Sequence, residues 1–201
     1  MTLDSPQILL ASSSPYRRQL LEKIGVTFSC ESPDIDERPH DQESVKETVE
    51  RLSLQKAQAL VKHHPSKIII ASDQSASLNN KALGKPGNFE KAFEQLKAQQ
   101  GKIIYFYTGL VVYNPHNQAY LSALDTTKVY FRELSDQQIR NYLLTEQPYD
   151  CAGSFKSEGL GITLFNKIEN QDPNALVGLP LIKLVNLLSQ VGISLPLDPN
   201  R

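Results

Sequence analysis

Two apolar runs in this chain end on residues able to do chemistry. In Lys67 to Leu78, "KIIIASDQSASL", three isoleucines and an alanine lead directly into Ser72, Asp73 and Gln74. In "QILLASSSPYRRQLL" a similar run meets Ser12, Ser13 and Ser14, then Arg17 and Arg18. Runs without polar alternation suit strands covered on both faces. Ligands of open α/β sheets sit beyond the carboxyl ends of such strands. A carboxylate ending the Ile-rich strand, Asp73, either caps a turn or is placed for a ligand.

The cations near these strand ends point to an anion. Ser14 and Pro15 read as the cap and first residue of a helix, and a helix N-terminus is a ready anion site. Its dipole disfavours Arg17 and Arg18 in the first turn unless a phosphate is bound between them, the alternative being that both are solvated. Lys56 falls on the apolar stripe of a later helix, where it either snorkels with its stem buried or reaches a ligand. Lys85, in "GKP", is a phosphate ligand or a loop lysine. Together with Ser12 and Ser14, these cations would suit a polyphosphate. Asp36 and Glu37, in "DIDE", offer a second carboxylate beside Asp73 for a hard divalent cation, although loop acids are common. The four histidines, His40, His63, His64 and His116, lack metal spacing and read as surface residues. No G-x-S-x-G elbow supports a serine nucleophile.

The elements that must position these residues follow from pattern. A strand over about Gln7–Ala11 precedes a short helix with Leu20, Leu21 and Ile24 on its stripe and Gly25 at its end. A second strand covers about Thr27–Glu31. Ser44 with Glu47 forms a capping box, opening a helix with the stripe Val45, Val49, Leu52, Lys56, Ala59, Leu60. The third strand is expected to end at Asp73, followed by a hairpin turning at Asn79-Asn80. Asn88 caps a helix to about Gln99. Two long strands, Lys102–Tyr113 and Ala119–Phe131, read as an antiparallel pair. Ser135 and Gln138 form a second capping box, with a helix to about Thr145. "CAGSFKSEGLGITLF" precedes a strand, and "DPNALVGLPLIKLVNLLSQVG" reads as a long helix with a break near Pro180. The expected architecture is α/β, a mixed twisted sheet with flanking helices and a cleft between two unequal lobes, all of residues 1–201 forming one domain.

Composition narrows the partners. The chain has 201 residues, 40% hydrophobic and 21% charged, with 21 basic against 22 acidic side chains. So balanced a charge gives no field to hold long nucleic acid. No run approaches the ~20 apolar residues of a membrane span, and the start lacks the pattern of a signal peptide. Cys30 and Cys151 read as two reduced core thiols of a cytoplasmic protein. "PLDPNR" reads as a tail.

"LLASSSPYRRQLL", "DIDE", "KAQAL", "ASDQ", "GKP", "YTG" and "AGSFKSEGLG" occur in the order and context of the Maf family of nucleoside-triphosphate pyrophosphatases, which the chain resembles from about Ile8 to Leu188. The trio Tyr16, Gln74 and Glu158 resembles the subgroup acting on 7-methyl-GTP; typical thymidine- and uridine-triphosphate members look like "SPRR" and "SDT" instead. Tyr16 departs from the tryptophan of familiar members but keeps an aromatic face. The resemblance implies an ITPase-like fold, a homodimer, and a divalent metal (Mg²⁺ or Mn²⁺). It makes Asp73 the catalytic acid/base, with Tyr16, Gln74 and Glu158 as specificity positions. Ser12, Arg17, Arg18, Lys56 and Lys85 match phosphate-facing positions, and Glu37 the other acidic one. It implies hydrolysis of a small nucleotide to a nucleoside monophosphate and diphosphate. The readings that compete are a thymidine- or uridine-triphosphate pyrophosphatase of the same family, and a nucleotide-binding regulator of cell division without useful turnover.

Overall fold

A computed structural model describes residues 8–198. Gln7, and Pro199, Asn200 and Arg201 of the tail, lie outside the described residues. The element order is β1 (Ile8–Ala11), α1 (Pro15–Glu22), β2 (Phe28–Glu31), α2 (Val45–Val61), β3 (Ile68–Leu78), β4 (Lys81–Leu83), α3 (Phe89–Gln99), β5 (Ile103–Asn114), β6 (Ala119–Phe131), α4 (Asp136–Glu146), β7 (Phe165–Glu169) and α5 (Leu181–Gln190). The strands form one mixed sheet in the order β2-β1-β3-β5-β6-β7, with β4 also on β3. β1 is parallel to β2 and β3; the remaining pairs are antiparallel.

The uninterrupted apolar runs have the cause that their composition suggests. Successive side chains of a strand point to opposite faces. Leu9, Ala11, Ile69 and Ala71 pack with Ala57 and Leu60 of α2 on one face. Leu10, Ile68 and Ile70 pack with Leu20 and Leu21 of α1 and Leu184 and Leu188 of α5 on the other. A further core joins α3 and α4 to β5 and β6 through Phe93, Leu96, Ile104, Val129, Ile139 and Leu143.

Helix starts fall where the caps predict. Ser14, Ser44, Asn88 and Ser135 each accept a hydrogen bond from a first-turn N–H, and the Ser44 and Ser135 capping boxes are both complete. The hairpin turn also falls where expected, with Asn79 and Asn80 at φ 51° and 61°.

Four expectations are corrected. β3 does not stop at Asp73: it continues to Leu78, because β5 runs beside it from Ile69↔Tyr113 to Ser77↔Tyr105. On the other side of β3, β1 pairs only as far as Ala71 and β4 begins only at Ala76. Ser72 to Ser75 therefore lie in a strand that has lost one neighbour, which is why polar residues appear without a turn. The long C-terminal helix is broken further than Pro180 alone requires. A 3-10 turn at Ala175–Val177 ends at Gly178, whose φ of 126° only glycine adopts readily, and α5 begins at Leu181. Buried Asp172 accepts the N–H of Ile182 at 2.5 Å and that of Asn174 at 2.9 Å, fixing this corner. The cysteines are both half-buried instead of core thiols; Cys30 sits at the edge of a core and Cys151 lines a cavity. On α2 the inward position is Ala57, with Ala59 only half-buried, since Ser53 and Lys56 turn the stripe toward the sheet.

Candidate active site

The vacant edge of β3 opens into a cavity of about 400 Å³. Ser12, Ser14, Tyr16, Arg17, Glu37, Lys56, Asp73, Gln74, Lys85 and Glu158 all line it. Of the residues singled out in the sequence, Arg18 and Asp36 stand apart from the lining: Arg18 is exposed on α1, one position round the helix from Arg17, and Asp36 is exposed and paired with Arg38 at 2.6 Å instead of facing Asp73.

Lys56 is 7% exposed and Asp73 8%, so both charges are largely withdrawn from water. The Lys56 Nζ donates to Asp73 Oδ1 at 2.6 Å and lies 2.8 Å from Glu37 Oε1. The stripe-breaking lysine thus reaches the carboxylate that interrupts the strand. Two close approaches permit it. Gly109, directly opposite Asp73 on β5, lies so near α2 that an added Cβ would meet Ser53 Oγ at 2.4 Å and Val49 at 3.0 Å. Ser53 in turn accepts the Asp73 N–H at 3.0 Å and donates to the Val49 carbonyl at 2.8 Å. The glycine of "YTG" is therefore a packing requirement that sets α2 against the floor of the site.

Arg17 is held from the opposite side. Its Nε donates to the Gly178 carbonyl at 2.9 Å, while the Ser72 hydroxyl lies 3.0 Å from that carbonyl and 2.7 Å from that of Gly109. Burial lowers the Arg17 pKa, and the charges of Asp73 and Glu37 oppose that effect; a guanidinium stays protonated regardless. The Glu37 carboxyl is pushed below the usual range chiefly by the Lys56 hydrogen bond, against burial, with Lys85 and Arg17 adding to it. Lys85 is exposed at the wall and makes no ion pair among the described residues. Ser12 accepts the Ser14 N–H at 3.1 Å and Ser14 that of Arg17 at 3.4 Å, which leaves each hydroxyl a proton to donate.

A second group of side chains is acidic and aromatic. The Tyr16 hydroxyl donates to Asp150 Oδ2 at 3.5 Å, and the Cys151 thiol to Asp150 Oδ1 at 3.4 Å. Burial first, then the electrostatic influence of Cys151, Asp150 and Glu158, pushes the Tyr16 phenol well above its ordinary value. Burial and Asp150 push Cys151 up to about 12, so its thiol stays protonated and is no nucleophile. Gln74 donates through Nε2 to Thr108 Oγ1 at 2.9 Å and to the carbonyls of Ala175 and Leu176 at 2.7 and 3.1 Å. Three acceptors around one nitrogen fix the amide orientation and leave its oxygen without a partner among the described residues. Sequence reasoning missed Ser53, Ser72, Gly178, Asp150 and Cys151. Of these only Ser53, a second polar residue on the apolar face of α2, carries a visible signal.

Among the described residues no cluster of three or more His, Cys, Asp or Glu side chains is arranged to hold a metal. Asp73 and Glu37 nevertheless share one cation, the Lys56 ammonium. Two hard carboxylates completed by phosphate oxygens are the usual surroundings of Mg²⁺, so the donor set fits a divalent cation brought with a polyphosphate.

Cations and carboxylates thus gather at an unpaired edge of a mixed α/β sheet. The solved HAM1 protein from Coxiella burnetii shares the fold, with a TM-score of 0.53 over 92% of this chain and 100% of that one, at 14% identity. Residues 7–191 match the Maf-like protein family, and the chain belongs to it. It is 55% identical over 195 residues to a 7-methyl-GTP pyrophosphatase of Hydrogenovibrio crunogenus, covering 97% of this chain and 98% of the relative. It is also 51% identical over 197 residues to the protein of that name from Alcanivorax borkumensis, covering 98% and 100%.

Proposed function

We propose that this protein is a nucleoside-triphosphate pyrophosphatase that hydrolyses 7-methyl-GTP to 7-methyl-GMP and diphosphate, removing a modified nucleotide. The observation that carries this reading is one cavity lined by two groups of side chains: Arg17, Lys56 and Lys85 with two carboxylates, and Tyr16 with Asp150 and Glu158. The names of the half-identical relatives support the same substrate.

Phosphoryl chemistry asks chiefly for positioning and charge stabilisation. Arg17, Lys56 and Lys85 bind the triphosphate and offset the charge that develops on diphosphate. Lys56 occupies Asp73 Oδ1 and leaves Oδ2 to orient a water and take its proton. The water oxygen bonds to phosphorus, the P–O bond between the α and β phosphates breaks, and diphosphate leaves with the electron pair. Asp73 and Glu37 would hold a divalent cation, which when bound supplies Lewis-acid charge compensation to the phosphates. For the base, methylation at the seventh nitrogen makes guanine cationic. A tyrosine face and a carboxylate both attract such a base. The acceptor-only oxygens of Glu158 and the free oxygen of Gln74 suit the donors on the guanine Watson–Crick edge.

Among the described residues no helix is long and apolar enough to cross a membrane. Two free cysteines accord with the proposed cytoplasmic location; a homodimer belongs to the same proposal.

The test is diphosphate release under multiple turnover, with Mg²⁺ or Mn²⁺ and with chelator, on 7-methyl-GTP, GTP, thymidine triphosphate and UTP. The expected result is metal-dependent turnover fastest on 7-methyl-GTP. Preference for a pyrimidine nucleotide would favour the other branch of the family, and binding without turnover would favour a regulator.

A further inference from the structure

The base-facing group contains one carboxylate that no sequence motif singled out. Asp150 lines the cavity beside Tyr16 and Glu158, and among the described residues neither it nor Glu158 forms an ion pair within 4.0 Å. The cationic side chains lining the cavity are Lys56, engaged with Asp73 and Glu37, Arg17, bonded to the Gly178 carbonyl, and Lys85, whose charge acts on Glu37. Lys156, outside the lining, reaches Cys151 electrostatically but lies 4.0 Å from Glu146. Two carboxylates without an ion pair among the described residues, next to an aromatic ring, create a local negative potential on a chain of almost balanced charge.

Asp150 is also held in place. It precedes a 3-10 turn, Ala152–Ser154, in which Gly153 and Ser154 have φ of 75° and 65°. That turn is tied to α3: Ser154 Oγ donates to Gln95 Oε1 at 2.5 Å, and Gln99 Nε2 to the Gly153 carbonyl at 2.9 Å. A non-glycine residue kept in the left-handed region needs such support, and here the support fixes the wall that bears Asp150. Each Asp150 oxygen faces a donor of that wall, Tyr16 Oη on one side and Cys151 Sγ on the other. The Tyr16 hydroxyl thus has this carboxylate as its acceptor, at 3.5 Å.

We propose that Asp150 is a further specificity-determining residue, a second carboxylate that acts with Glu158 and the Tyr16 ring to select a cationic purine base. This rests on the substrate reading above. Donation from the phenol to Asp150 makes the ring more electron-rich, so the pair offers the base a negative face and a negative edge together. A neutral guanine gains little from either.

Asp150→Asn keeps size and the acceptor for Tyr16 but removes the charge; Asp150→Glu keeps the charge. Catalytic efficiency is to be measured on 7-methyl-GTP and GTP with one metal, together with dissociation constants for 7-methyl-GMP and GMP. Asp150→Asn is expected to lower the methylated-to-unmethylated ratio about two- to fivefold, in line with an exposed charge contact. The loss of efficiency should be larger on 7-methyl-GTP than on GTP, and Asp150→Glu should retain most of the preference. An unchanged ratio in Asp150→Asn, with wild type still preferring 7-methyl-GTP, overturns this inference alone, as do equal losses in both variants. Absence of any preference in the wild type overturns the substrate reading and this inference with it. For a variant that turns over too slowly to assay, the ratio of the two product dissociation constants decides in the same way.

Discussion

Lys56 and Asp73 are almost wholly buried, carried by the middle of a helix and the middle of a strand, and bonded to each other. Asp150 and Glu158, lining the same cavity, are exposed, carried by irregular chain and, among the described residues, without an ion pair. The first arrangement costs desolvation, and it is held by packing that cannot shift, down to the contact at Gly109. The second costs little to alter. The contrast teaches where each job can be done. Stabilising charge on a phosphate that every substrate shares needs preorganised groups in a water-poor site. Choosing between bases needs only a difference in potential at a wall. Substitutions in the buried group should therefore lower turnover on every nucleotide, and substitutions in the exposed group should change ratios.

The largest effect is expected from Asp73→Asn, which keeps the shape but removes the base and the charge that faces Lys56. General-base loss alone typically costs about 10²–10⁴-fold. Turnover on 7-methyl-GTP and GTP should fall together, with melting temperature within a few degrees of wild type. Wild-type turnover in a folded Asp73→Asn protein would end the assignment.

Lys56→Met comes next, and it breaks the comparison in stability as well as in rate. Removing one charge-stabilising donor costs about 10²–10³-fold. Asp73 and Glu37 would then face each other without their shared ammonium, a loss of about 1–3 kcal/mol typical of an unsatisfied buried acceptor. Chemical denaturation should show that loss, and Asp73→Asn in the same chain should recover part of it. A Lys56→Met protein of full activity and higher stability would return the lysine to a packing role.

Gly109→Ala probes the support in place of the charges. Its Cβ would lie 2.4 Å from Ser53 Oγ, so α2 or β5 must move. Overpacking of this kind costs about 1–3 kcal/mol, and a shift of α2 would carry Lys56 away from Asp73. Stability and turnover should fall in step on both nucleotides; unchanged values would mean the helix yields without moving its lysine.

The smallest effects are expected at the base-facing wall, where they should be selective. Glu158→Gln should cut the preference for 7-methyl-GTP over GTP about tenfold, since hydrogen bonds to charged groups are worth roughly 1.5–3 kcal/mol. Tyr16→Ala should cut it less, in line with about 0.5–1 kcal/mol for an exposed cation–π contact. Equal losses on both nucleotides would show that this wall supports the site generally.

Much of this was legible in the chain by itself. The caps at Ser14, Ser44, Asn88 and Ser135, the Asn79-Asn80 turn and the two-faced apolar runs are local signals, because each depends on residues within a few positions of one another. The candidate site residues stood out for a related reason: Lys56 in an apolar stripe and Asp73 in an apolar strand each violate the pattern around them, and burying a charge demands a compensating partner. What the chain could not specify locally is which partner. That Lys56 answers Asp73, that Arg17 and not Arg18 turns inward to the Gly178 carbonyl, and that β3 continues past Asp73 because β5 lines one edge while β1 and β4 leave the other open all depend on long-range pairing. Asp150 was hidden for the same reason. In sequence it is one acidic residue in a loop, 134 residues from Tyr16, and only the packing of a strained turn against α3 brings its carboxylate to the Tyr16 hydroxyl.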